Sequence, residues 1–92
     1  MVIWDEPKRQ ANLRKHGLDF AGCDAVFDHP VVTIEDRRAA YGEQRIQLLG
    51  WLDGGVVHLT YTERGETLHA ISLREATRNE ARAYFKAISS QS

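Results

Sequence analysis

The sequence predicts an α+β fold made of two N-terminal helices, a four-stranded antiparallel meander and a C-terminal helix. Three observations carry that expectation. Helix-ending signals and helical spacing dominate the chain up to Pro30, short runs of branched and aromatic residues separated by glycine turns fill Val31 to Leu73, and helical spacing returns after Thr77.

The first helix is expected over Glu6 to His16. Asp5 can cap its orphan amides, Pro7 is tolerated in the first turn, and Gly17 supplies a left-handed end. Arg14, Lys15 and His16 then fall in the last turn, where the helix dipole favours positive charge. A second short helix is expected from Asp19, with Phe20, Cys23 and Phe27 on one face and Pro30 closing it, although Gly22 counts against it.

Val31 to Ile34, Arg45 to Trp51, Val56 to Thr62 and Thr67 to Leu73 read as four strands. Leu52-Asp53-Gly54-Gly55 and Glu63-Arg64-Gly65-Glu66 are hairpin-length turns, so the pairing is antiparallel. For the last helix two capping boxes compete, Ser72 with Glu75 and Thr77 with Glu80. The second leaves Ser72 and Leu73 to the strand and gathers Ala81, Tyr84, Phe85 and Ile88 on one face, with Arg78, Arg82 and Lys86 on the other. That like-charged stripe is a solvated face, or a seat for an acidic partner segment or a nucleic acid.

At 92 residues the chain is expected to be one domain, 1–92. A chain this short buries only about 60–65% of its unfolded surface, which leaves it marginal and favours a module that works in a complex. Hydrophobic residues make up 42% and charged residues 27%, ordinary globular usage, so the chain is expected to be ordered except at the polar end from Ser89 to Ser92. Cys23 is the only cysteine, which excludes an internal disulfide and a thiolate metal cluster. With no basic start and no membrane-length apolar stretch, a cytoplasmic protein is expected. The net charge of −1 is unlike that of proteins that bind nucleic acid by charge alone, so any nucleic-acid site must be local.

The chain has no glycine-rich phosphate loop, serine nucleophile elbow or HExxH element, and His16, His29, His58 and His69 lack metal-ligand spacing. No cofactor or metal is expected, and Cys23 reads as a packed residue. The remaining Arg, Lys, His, Glu and Tyr side chains suit RNA cleavage, which needs a base for the ribose 2′-hydroxyl, cations for the crowded phosphorane and an acid for the leaving oxygen.

Specific residues sharpen this. Trp4-Asp5-Glu6, Asn12-Leu13-Arg14-Lys15-His16-Gly17, Phe20, Val26-Phe27-Asp28-His29-Pro30 and Gly42-Glu43-Gln44-Arg45 mark the first half. Gly50, Tyr61-Thr62-Glu63-Arg64-Gly65 and Ile71-Ser72-Leu73-Arg74-Glu75-Ala76, with Glu80 and Tyr84, mark the second. On these residues the chain resembles, nearly end to end, the BrnT toxins of bacterial type II toxin–antitoxin systems. The resemblance implies a RelE-like ribonuclease that arrests growth. It also implies a BrnA-type antitoxin with a ribbon-helix-helix DNA-binding domain, a toxin–antitoxin heterotetramer, and DNA contact only through the antitoxin. Two residues depart from the family pattern. His69 stands where the family usually has Arg, making a phosphate contact shorter and dependent on protonation, and Cys23 stands where the family tends to have Ala.

The candidate catalytic residues are Arg64, Arg74, Glu63, His69 and Tyr61, with Lys15, His16 and Arg45 as candidate substrate-binding residues. Arg64, Arg74, Arg45 and Lys15 would stabilise phosphate, Glu63 or His69 would act as base or acid, and Tyr61 would orient the ribose. Each also has a plain reading. Arg64 can pair with Glu66 and Arg74 with Glu75, Lys15 and His16 complement a dipole, and Arg45 can make a cross-strand pair. His58 and Thr60 read as an exposed polar sheet face, and Trp51 and Tyr61 either stack on bases or fill the core. The competing functions are a non-catalytic partner that binds the antitoxin and adjusts operator affinity as co-repressor, and a plain RNA-binding module.

Overall fold

The computed structural model describes residues 1–36 and 44–90. Gly42 and Glu43 of the resemblance, and Gln91 and Ser92 of the polar tail, lie outside the described residues. The elements run β1 (Val2–Ile3), α1 (Glu6–His16), a 3₁₀ segment (Cys23–Asp28), β2 (Val32–Asp36), β3 (Arg45–Leu52), β4 (Gly55–Arg64), β5 (Thr67–Glu75) and α2 (Arg78–Ser89). They form an α+β fold around one five-stranded sheet of order β1-β5-β4-β3-β2.

The expected spans of α1 and α2 hold, but the expected Asp5 side-chain cap on α1 does not form. Gly17 closes α1 at φ 72°, its amide donating to the Leu13 carbonyl, while Asp5 occupies the N-cap position without a side-chain hydrogen bond. Thr77 and Glu80 form both halves of the capping box on α2. The turn between β3 and β4 is tight because Asp53 at φ 50° and Gly54 at φ 86° both take positive values, the pattern that matches strand twist.

Two expectations are corrected. The sheet is five-stranded and mixed, because Val2 and Ile3 pair in parallel with Leu68 and His69. A two-residue strand is too short to show a period. The second helix is a 3₁₀ segment of six residues. Gly22 at φ 83° blocks a helical start at Asp19, and the short stretch left before His29 winds at three residues per turn. That period aligns Cys23 with Val26, both 1% exposed, and turns Phe27 outward to 42%.

The core lies on one sheet face, where Phe20, Cys23 and Val26 pack against Leu48, Leu59 and Leu73. α2 covers part of the other face through buried Tyr84, whose hydroxyl donates to the Pro30 carbonyl at 2.8 Å, while Phe85 stays exposed beside Trp51 with ring centroids 6.2 Å apart. Among the described residues no helix is long and apolar enough to cross a membrane.

Candidate functional site

The α2-free end of that second face is assembled from strand ends. Thr62 of β4 is in register with His69 of β5, Ile3 of β1 flanks His69 on the other side, and Arg64 lies two residues beyond Thr62 on the same face. Arg45 begins β3 next to Ile46, the register partner of Tyr61, and so falls alongside Thr62. The first turn of α1 completes the wall. The result is a cleft of about 410 Å³ lined by Asp5, Lys8, Arg45, Thr62, Arg64 and His69, with Trp4 and Ile71 supplying apolar surface.

Three permanent cations against one carboxylate make this cleft locally positive in a chain whose net charge is −1. Arg45 and Arg64 each also have a partner within the chain, and among the described residues the Arg45 Nε is buried without a hydrogen-bond partner. The Thr67 hydroxyl donates to the Arg64 carbonyl at 2.8 Å and sits 3.4 Å from His69 Nε2.

The other candidates are elsewhere. Arg74 opposes His58 towards the other end of the β4–β5 hairpin, five residues along β5 from His69 and so roughly 15 Å from it, and does not line the cleft. It forms a two-pronged pair with Glu80 at 2.7 and 2.9 Å and also donates to the Glu75 carbonyl, so its carboxylate partner is Glu80 and not Glu75. That guanidinium, with the Thr77 amide donating to the same carboxylate, holds Glu80 down at about 2. Tyr61 faces the core at 4% exposure, its phenol pushed up by burial and then by the charge of Glu63. Glu63 is exposed and does not line the cleft. Lys15 and His16 line a second cleft of about 240 Å³ along α1.

His58 was expected on an exposed polar face but is buried under α2, its pKa lowered by desolvation and then by Arg74. Sequence reasoning also passed over Lys8 as a site residue and named Asp5 only as a cap. The one available signal was their position in the first turn of a helix that follows β1, and β1 itself was not foreseen.

Among the described residues no group of three His, Cys, Asp or Glu side chains is placed to hold a metal ion. A family described as the ribonuclease toxin BrnT of type II toxin–antitoxin systems matches residues 4–80. The chain belongs to that family. Among curated proteins, none matches the sequence. The matched span contains every residue of the cationic cleft except Ile3, and both halves of the Arg74–Glu80 pair. Membership brings a ribonuclease toxin's substrate, RNA, and an antitoxin partner to this BrnT-family chain.

Proposed function

We propose that this BrnT-family protein is a metal-independent endoribonuclease that cuts RNA in the cleft between β1, β3, β4, β5 and the start of α1. The observation that carries this reading is the convergence of Arg45, Arg64 and Lys8 beside His69 in one cleft. The reaction needs no metal. A base takes the 2′-hydroxyl proton, the 2′-oxygen attacks phosphorus, and the bond to the 5′-oxygen breaks as that oxygen gains a proton, leaving a 2′,3′-cyclic phosphate and a 5′-hydroxyl. Arg45 and Arg64 present planar donor forks to the non-bridging oxygens as charge builds on them. His69 is the proton-transfer group. Asp5 shares the cleft and is the second group able to exchange a proton there.

In this reading Lys15 and His16 touch RNA beside the cleft. Arg74, Glu63 and Tyr61 stand outside the reacting centre, with Arg74 and Tyr61 holding the sheet that positions it. The fold is of the RelE-like kind, the protein works in the cytoplasm, and a BrnA-type ribbon-helix-helix antitoxin neutralises it in a heterotetramer that alone reaches DNA.

The test is incubation of antitoxin-free protein with single-stranded RNA in excess chelator. Cleavage leaving cyclic-phosphate ends is expected, and Arg64→Ala or Arg45→Ala should lower kcat/KM by about 10²- to 10³-fold, with growth arrest lost in step. Full activity in both variants, or activity only with added divalent ions, overturns the proposal. Harmless expression of the wild type without its antitoxin would instead favour the non-catalytic co-repressor.

A further inference from the structure

The second cleft, along α1, is not isolated from the first. Lys8 and Ile71 line both, so the two clefts meet across them. Ile71 can serve both because it is the extra residue of a β-bulge. Thr60 pairs with Ser72 and Tyr61 with Ala70, which leaves Ile71 unpaired on the β5 side, and a bulge re-aims the side chain it adds. The floor at the junction is therefore apolar and its wall is cationic.

The wall is regular. Lys8, Ala11, Asn12 and Lys15 follow helical spacing along one face of α1, and the two lysines are roughly 10 Å apart along its axis. Both are exposed, and among the described residues neither makes an ion pair or hydrogen bond. Arg9, between them in sequence, is by contrast tied to Glu6 and to Asp19. The face that carries the lysines is also fixed in space. Asn12 hydrogen-bonds both the amide and the carbonyl of Leu73, at 3.0 and 2.9 Å, locking α1 against β5 at a set distance from Arg64.

We infer that the substrate is a single strand of several nucleotides whose backbone leaves the Arg45–Arg64 cleft past Lys8 and follows α1 to Lys15 and His16. The inference rests on the ribonuclease reading and adds to it a second binding segment. Lys8 and Lys15 take flanking phosphates, Ile71 supports a ribose or base at the junction, and the His16 ring offers a stacking surface at the far end. Ile71 and the His16 ring suit unstacked bases, which a single strand presents and a duplex does not.

The experiment compares cleavage of a dinucleotide and of an unstructured octanucleotide by wild type, Lys15→Ala, and Lys8→Ala/Lys15→Ala, with Lys15→Glu as a charge reversal. Wild type is expected to prefer the octanucleotide, and the double variant to lose that preference by about tenfold, chiefly through KM, with a shallower salt dependence of kcat/KM. Equal losses on both substrates would overturn the track, as would no loss on either. So would a variant that cleaves normally but no longer retains a co-expressed antitoxin, because the lysine row would then be the antitoxin's seat. If wild type cleaves neither substrate the ribonuclease reading has failed on its own. Salt-dependent binding of the octanucleotide, weakened by the same substitutions, then decides whether the track exists.

Discussion

Asn12 is a poor choice for the middle of a helix by propensity, and the structure gives the reason it is there. Its amide is 5% exposed and is shared among three backbone groups: it donates to the carbonyls of Leu18 and Leu73 and accepts from the Leu73 amide. Removing it leaves a buried strand amide without a partner. Asn12→Ala is expected to cost about 2–4 kcal/mol in urea unfolding, and a loss under about 0.5 kcal/mol would show that the amide is dispensable. The same contrast runs through the site. Arg45, Arg64 and His69, singled out from residue type and order, do come together in one cleft. The fate of Arg74 could not be read that way, since Glu80 serves a helix cap and a strand arginine at once, and a capping signature says nothing about the second duty. Nor could the role of Asn12, whose strand partner is 61 residues away.

At the level of elements, what was legible is what local chemistry dictates. The limits of α1 follow from Gly17, those of α2 from the Thr77–Glu80 box, and the β3–β4 hairpin from Asp53-Gly54. β1 and the 3₁₀ segment were not, because the first exists only by pairing with β5 and the second takes its winding from the residues on either side. The seam between that segment and β3 depends on Gly50. A methyl group there would overlap Val26 Cγ2 and crowd Leu48 and Val31, so the 3₁₀ segment approaches β3 as closely as a bare α-carbon allows. Gly50→Ala should therefore destabilise the fold by about 1–3 kcal/mol through overpacking. In the double variant with Val26→Ala the combined cost should be less than the sum, because the second change opens the space that the first needs. Strict additivity in thermal melts would remove Gly50 from this role.

Across the whole molecule, charge is sorted rather than abundant. Lys8, Arg45 and Arg64 gather at one end of the sheet, while at the other Arg74 is neutralised by Glu80 beside buried His58, whose ring lies 3.4 Å from the Gln47 side-chain oxygen. This second cluster joins β3, β4, β5 and α2, so its titration bears on global stability. His58 is held below its ordinary 6.5 by desolvation first and by Arg74 second, with Glu80 opposing. An unfolded chain therefore takes up this proton more readily than the folded one, and stability present above pH 6.5 starts to decline as pH falls below it. Glu80 is held at about 2 against an ordinary 4.5, chiefly by Arg74, so its contribution is complete above pH 4.5 and is lost between 4.5 and 2. With the pair partly open to solvent, that lower step is worth on the order of 2 kcal/mol. Acid unfolding followed by circular dichroism should thus show two limbs. His58→Gln is expected to flatten the upper limb alone. Glu80→Gln should shrink the lower limb, leaving the part that Glu6 and Asp19 contribute through Arg9, and should also lower stability at neutral pH, because Arg74 then keeps its charge without a carboxylate. A single acid transition unchanged by either substitution would show that this junction does not control the stability of the sheet.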